Sequence, residues 1–158
     1  MKTIFAAIGA LAILPTAAAT EVAVTYSEDF AEELADNYGD REGETLTEDI
    51  IDDLDRAFAK AGVSPARVDV VIVDAKPNRP TFEQLAQRPG LDPIRSISIG
   101  GMELTGTAYD ADGNVLAVQE YEWFENNIRD VVSAGTWSDA NRASRRFAKK
   151  FANQLTDS

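Results

Sequence analysis

The chemistry available to this chain rests on carboxylates and basic side chains, because its 158 residues include no histidine and no cysteine. Ser–His and Cys–His nucleophiles, imidazole acid–base catalysis near neutral pH and histidine-based zinc or iron sites are therefore excluded. The absence of cysteine also excludes disulfides, so the chain must fold on its core alone. The sequence predicts no cofactor.

Four cations in a proline-rich connector form the clearest candidate site. They are Lys76, Arg79, Arg88 and Arg95. Pro77 and Pro80 stiffen the backbone around Arg79, and a capping-box pattern at Thr81 predicts a short helix whose N-terminus adds partial positive charge nearby. The group predicts an anion-binding site for a carboxylate or phosphate. The alternative is a rigid connector whose cations pair with the acidic helix predicted to begin at Thr45.

Two glutamates, Glu120 and Glu122, have a spacing that could support catalysis by carboxylates. Residues two apart on a strand share a face and lie roughly 6.5 to 7 Å apart, a separation that suits a pair of glycosidase carboxylates. Any two carboxylates with this spacing meet the same condition, so the sequence names no catalytic residue.

The remaining acidic patterns have structural interpretations. Asp110 to Asn114 resembles half of a calcium loop, but glycine falls at the fourth place and Tyr121 at the twelfth, so a hairpin turn is predicted. The carboxylates between 48 and 55, Asp53 among them, are predicted to face water along one side of a helix. No metal site is predicted.

Charge is unevenly distributed along a chain of net charge −12. Residues 21–62 hold fourteen acidic and three basic residues, whereas residues 139–153 hold one acidic and five basic residues. Such a balance repels nucleic acid and anionic lipid over most of the surface. We expect the basic segment to pack beside the acidic one and to neutralise part of its charge.

Residues 1–19 have the pattern of a secretory signal peptide. Lys2 precedes an apolar run from Ile4 to Leu14, and Ala17 to Ala19 place small residues where a signal peptidase cleaves. The prediction is a mature chain from Thr20, located in the periplasm or secreted, with no stable membrane insertion after leader removal. Residues 20–158 then form a single domain.

Apolar spacing predicts the elements of that domain. Strands are expected at 21–26, 68–73, 97–109 and 115–124, the last two joined as a hairpin. One long helix is predicted to begin with a capping box at Thr45 and another to run from near 136–138 to Leu155. A bulge at Gly100 and Gly101 is predicted to turn Ile97 and Ile99 inward together with Met102 and Leu104.

These elements predict an α+β fold, a two-layer sandwich with a mixed sheet of about four strands and two main helices on one face. Their order, the Gly-Gly pair, the Asp-Ala-Asp-Gly turn and the final Ala/Phe-rich helix resemble small exported proteins of Gram-negative bacteria whose function is unassigned. The layout also resembles α+β modules of envelope lipoproteins and transport-accessory proteins. This resemblance implies a fold and no activity.

Three functions remain open from the sequence. The leading hypothesis is a non-catalytic periplasmic accessory or binding module, since most hydrolytic and redox reagents are absent. The alternatives are a carboxylate-dependent hydrolase acting on an envelope polysaccharide and a secreted inhibitor or effector. The sequence does not identify the partner; an envelope protein and a small anionic ligand are both compatible with it, and nucleic acid is not expected.

Overall fold

The computed structural model describes residues 19–131 and 135–157. These residues form the expected α+β architecture around one four-stranded mixed sheet, in which the strands follow chain order. The predicted leader lies outside the described residues, apart from Ala19. The strands are β1 (Glu21–Tyr26), β2 (Arg67–Lys76), β3 (Gly101–Tyr109) and β4 (Val115–Phe124).

Strand pairing follows from the connections. β1 and β2 are parallel and joined through helices, whereas β2–β3 and β3–β4 are antiparallel. Bulges do occur, but at Val73 in β2 and at Leu116 in β4. The predicted bulge at the two glycines is wrong, because β3 begins only at Gly101 and Ile99 is exposed.

Gly100 has a different physical role from the one predicted. A Cβ atom there would lie 2.7 Å from the Lys76 carbonyl oxygen and 2.9 Å from the Asn78 side chain. Only glycine lets the backbone pass this close to the end of β2. Gly100 therefore lies where the chain that leads into β3 packs directly against the backbone at the end of β2.

The helices account for most of the remaining described chain. They are α1 (Glu28–Glu33), α2 (Asp40–Ala61), α3 (Phe82–Gln87) and α4 (Ser138–Thr156), with a π-helical turn at Leu34–Tyr38 and a 3₁₀ turn at Ile128–Val131. Among the described residues, no helix combines the length and apolar character needed to cross a membrane.

The long helix α2 starts five residues before the predicted cap at Thr45. Its first residue is Asp40, directly after Gly39, which takes a positive φ of 93°. Acidic Asp40 and Glu42 in the first turn suit the positive end of the helix dipole. The Thr45 hydroxyl instead donates 3.1 Å to the Arg41 carbonyl oxygen inside the helix, so the predicted capping box there is wrong.

Helices α2 and α4 lie side by side on one face of the sheet, as predicted. Their buried side chains share one hydrophobic cluster with the inward residues of β2 and β3. The ring of Phe58 on α2 packs edge-on against Phe151 on α4, with centroids 6.0 Å apart. At Gly106 in β3 a Cβ atom would lie 2.7 Å from the Phe147 ring, so the strand lacks a side chain where α4 lies closest.

Asp53 on α2 is buried, which corrects the prediction that it faces water. The Ser144 hydroxyl of α4 donates to its carboxylate at 2.8 Å, and Arg56 lies 3.0 Å away. Burial raises the pKa of Asp53, while the bond from Ser144 and the charges of Arg56 and Arg145 oppose that shift.

The raised pKa of Asp53 has a defined effect on stability. The unfolded chain loses this proton at lower pH than the folded chain does, so the folded state binds more protons over that interval. The contribution of Asp53 to stability is therefore fully present below its ordinary pKa of 3.8 and is lost as pH rises through the raised folded value.

Candidate functional site

The connector, residues 77–100, folds over the end of β2 and leaves a concave pocket of about 290 Å³, which we call the connector pocket. Three of the four predicted cations line it: Lys76, Arg79 and Arg88. The fourth, Arg95, is exposed in the turn after Pro93 and does not line the pocket. The structure thus brings together three members of the predicted group and separates one.

Each of the three pocket cations has its own surroundings. The Lys76 ammonium lies 3.6 Å from the Asp74 carboxylate, and the two side chains are 58% and 38% exposed. Arg79 donates to the carbonyl oxygen of Ile94. Arg88 donates 2.8 Å to the Asn37 side-chain oxygen, and among the described carboxylates none forms an ion pair with it.

A buried polar cluster fixes the backbone that carries Arg79. The wholly buried Asn78 side chain donates to the carboxylate of Asp139 at 2.5 Å and to the Ser98 carbonyl oxygen at 3.1 Å. Its own oxygen accepts the backbone N–H of Asp139 at 2.8 Å. The cluster anchors the start of the connector to the start of α4.

The carboxylate of Asp139 has further partners that satisfy it despite its burial. It accepts the backbone N–H of Gly100 at 3.3 Å and lies 3.4 Å from the Arg142 guanidinium. The Ser98 hydroxyl donates 2.6 Å to the Pro77 carbonyl oxygen and ties the two ends of the connector together. The pocket wall is therefore held in place by buried and partly buried bonds before any ligand arrives.

The far wall of the pocket contains Tyr38 of the π-helical turn. Burial and the neighbouring Glu33 carboxylate, which accepts its hydrogen bond, raise the pKa of Tyr38, so its hydroxyl stays protonated at neutral pH. Tyr38 acts as an apolar wall, together with Pro77, Leu91 and Ile97.

The capping box at Thr81 forms as predicted. The Thr81 hydroxyl accepts the Gln84 N–H at 3.3 Å, and the Gln84 side chain accepts the Thr81 N–H at 3.1 Å. This reciprocal pair uses two of the backbone donors that the sequence suggested for an anion. With only six residues in α3, the charge of the pocket comes from the side chains and not from the helix N-terminus.

The predicted carboxylate pair lies away from this pocket. Glu120 and Glu122 are exposed on the sheet face opposite the helices, across from Thr105 and Glu103 of β3. Neither glutamate lines a described cavity. The arrangement is that of ordinary surface residues on an open sheet face.

The hairpin turn between β3 and β4 is stabilised by hydrogen bonds to its first residue, Asp110. The Asn114 side chain donates 2.9 Å to the Asp110 carboxylate, which also accepts the backbone N–H groups of Asn114 and Asp112 at 2.8 and 2.9 Å. The Asn114 side-chain bond, followed by the Asn114 backbone bond, lowers the pKa of Asp110. A turn was the predicted interpretation of this loop. Among the described residues, no group of three or more acidic side chains is arranged to hold a metal ion.

The basic helix α4 packs beside the acidic helix α2, as expected, and the charge of Arg145 acts on the Asp53 carboxylate of α2. Helices α2 and α4 are neighbours, yet in the described ranges no cation of α4 forms an ion pair with a carboxylate of α2. Arg146 lies 4.5 Å from the Trp123 ring centre and Lys150 lies 5.1 Å from that of Tyr121. The two cations lie over aromatic rings of β4. This cation–π attraction is stronger where the ring and the cation are shielded from water.

Sequence reasoning missed Asn78 and Asp139 as positioning residues. A polar residue beside a proline and an acidic residue at the start of a helix each have common local explanations, and the contact joins positions 61 residues apart. No sequence pattern reports that separation.

No family model and no curated protein matches the chain.

Proposed function

We propose that this protein is a non-catalytic binding module that holds a small anion, a carboxylate or a phosphate group, in the connector pocket. The observation that carries the proposal is the convergence of Lys76, Arg79 and Arg88 on one concavity in a chain of net charge −12. Cations gathered against the overall charge of a protein favour a local anionic ligand.

The chemistry of the pocket supports binding over catalysis. Guanidinium groups such as Arg79 and Arg88 present several N–H donors and match the oxygens of carboxylate and phosphate groups. The chain has no histidine or cysteine, and Tyr38 holds its proton. An apolar wall beside the cations suits a ligand with a small hydrocarbon part next to its charged group.

The proposed location is outside the cytoplasm. Residues 1–19 supply this part of the proposal through their signal-peptide pattern, and a fold without cysteine is compatible with an oxidising compartment. The mass of the protein recovered from the producing cell tests it. Cleavage after Ala19 is expected, and a cytosolic protein that retains Met1 would contradict the location without affecting the pocket.

Binding is tested by titrating the purified protein with inorganic phosphate while recording backbone amide NMR shifts. We expect saturable shifts centred on 76–99, weakened by added salt because the cations lie at the surface. Arg79→Ala should raise the dissociation constant about ten-fold, the loss typical of a hydrogen bond to a charged group. Arg95→Ala removes the same charge from the same connector and should leave the constant unchanged.

Two results would count against the proposal. The first is the absence of saturable shifts with phosphate and with acetate, the simplest carboxylate probe. The second is a shift pattern centred outside residues 76–99, which would place any anion site elsewhere on the protein.

A further inference from the structure

A groove runs between α2 and α4 on the side of the molecule that faces away from the sheet. It has a volume of about 400 Å³, and its floor is formed by three small side chains, Ala57, Ala61 and Ala152. Alanines on two neighbouring helices leave room for a third helix to approach both backbones closely. The groove is separate from the connector pocket and shares no lining residue with it.

The two edges of the groove carry matching rows of cations. Arg56 and Lys60 lie along the α2 edge, and Arg145 and Lys149 lie along the α4 edge. Within each pair the residues are four apart, so each row rises about 6 Å along its helix. Helices α2 and α4 run in the same direction, since Asp53 meets Ser144 and Phe58 meets Phe151. The same contacts place Arg56 level with Lys149, so the two rows are parallel and staggered by about one helical turn.

The four cations differ in their internal counter-charge. Arg56 pairs with Asp53, a carboxylate that also lines the groove, and the charge of Arg145 acts on the same carboxylate. In the described part of the chain no carboxylate forms an ion pair with Lys60 or Lys149. The same chain carries an excess of acidic residues that could have supplied partners. The exposed Lys149 and Lys60 instead line the groove beside its three alanines, and Asp53 and Asn153 complete the lining.

We propose that this groove docks an acidic amphipathic helix of a partner protein. Such a helix places a narrow stripe of small or apolar side chains on the alanine floor, and acidic residues four apart on both flanks meet the two cation rows. This is helix-in-groove recognition, in which a buried stripe supplies affinity and flanking charges fix partner choice and orientation. The charge pattern on both edges is the observation that selects a helix.

Other occupants match the groove less well. An anionic acyl chain presents one charged group and leaves most of the four cations without a partner. A second copy of this chain offers the acidic outer side of α2, but its exposed residues Glu48, Asp52 and Asp55 provide no apolar stripe. An acidic amphipathic helix of a partner would contact the alanine floor with its apolar stripe and pair with the cations on both edges.

A designed peptide provides the test. The probe is a fluorescein-labelled helical peptide with an Ala/Leu stripe flanked on both sides by glutamates four apart, and its matched control carries glutamine at those positions. Anisotropy with the purified protein, in about 0.1 M salt where the Debye length is about 10 Å, gives the dissociation constant. We expect saturable binding of the acidic peptide and none of the glutamine peptide.

Charge reversals on α4 locate the binding. The double variant Arg145→Glu with Lys149→Glu should raise the dissociation constant at least about ten-fold, because both charges face the groove. The matched double variant Arg146→Glu with Lys150→Glu makes the same charge change one residue further along and should alter it less than about two-fold. Circular dichroism verifies that each variant is folded.

A third variant separates shape from charge. Ala61→Trp fills the groove without changing its charge, and we expect it to abolish peptide binding. Equal weakening by both double variants, or unchanged binding to Ala61→Trp, would overturn the proposal by showing general charge attraction. Binding of decanoate at the groove without binding of the peptide would also overturn it and assign the groove to an anionic acyl chain.

Discussion

Replacement of Asn78 by alanine is the sharpest test of how the connector is held. The side chain is wholly buried and makes three hydrogen bonds, to Ser98, to the Asp139 carboxylate and from the Asp139 backbone N–H. A neutral hydrogen bond contributes about 1 kcal/mol, and one to a charged group about 1.5 to 3 kcal/mol. Asn78→Ala should therefore lower the free energy of unfolding by about 3 to 5 kcal/mol.

Equilibrium urea denaturation measures this change. The control is Asn126→Ala, because Asn126 is exposed and its substitution should change stability by less than about 0.5 kcal/mol. Loosening of the connector should also weaken phosphate binding, since Asn78 directly precedes Arg79. A loss below about 1 kcal/mol would refute the reasoning, because it would mean that other bonds hold the connector.

Three further predictions concern the core. Phe58→Ala and Phe147→Ala should each lower the free energy of unfolding by about 3 to 5 kcal/mol, measured by the same denaturation. Stability close to that of the parent would contradict the conclusion that these faces of α2 and α4 pack against the sheet. Gly106→Ala places a Cβ atom 2.7 Å from the Phe147 ring and should cost about 1 to 3 kcal/mol; a neutral result would mean that α4 lies farther from β3. Asp53→Asn keeps an oxygen acceptor for Ser144 and removes the titratable group, so its stability relative to the parent should increase as pH rises above 3.8. Urea denaturation at several pH values from acid to neutral measures this. A stability difference between variant and parent that does not change with pH would contradict the raised pKa of Asp53.

Much of the fold could be predicted from the sequence because its signals are local and periodic. The alternation in β1, the Asp110 to Asn114 turn and the apolar stripe of α4 each depend on residues close in the chain. Ser27 caps α1 and Thr81 caps α3, because a hydroxyl at that position satisfies a backbone N–H three residues on. Gly62 ends α2 in the left-handed conformation that glycine adopts most easily.

The errors arose where a distant contact overrides a local signal. Asp53 sits among exposed acidic residues in the sequence, yet Ser144, 91 residues away, gives it a buried partner. Thr45 matches the sequence pattern of a helix N-cap, but α2 begins at Asp40 and continues through Thr45. Ile99 fits a strand, but the connector bonds around Asn78 and Ser98 keep that segment out of the sheet.

The candidate site was predictable in composition and only partly in geometry. A cluster of cations beside stiffening prolines is visible in the sequence, and Lys76, Arg79 and Arg88 do share a pocket. Arg95 could not be separated from them, because its position depends on the turn after Pro93. The role of Asp139 could not be predicted either, since it depends on how α4 meets the connector.

The most direct test of the anion-binding account compares Arg88→Ala with Arg95→Ala. Both variants remove one arginine from the same connector and change the net charge equally, but only Arg88 lines the pocket. Phosphate titration should give a dissociation constant about ten-fold higher for Arg88→Ala and unchanged for Arg95→Ala. Equal dissociation constants for the two variants would contradict the account, since the position of a cation in the pocket would then make no difference.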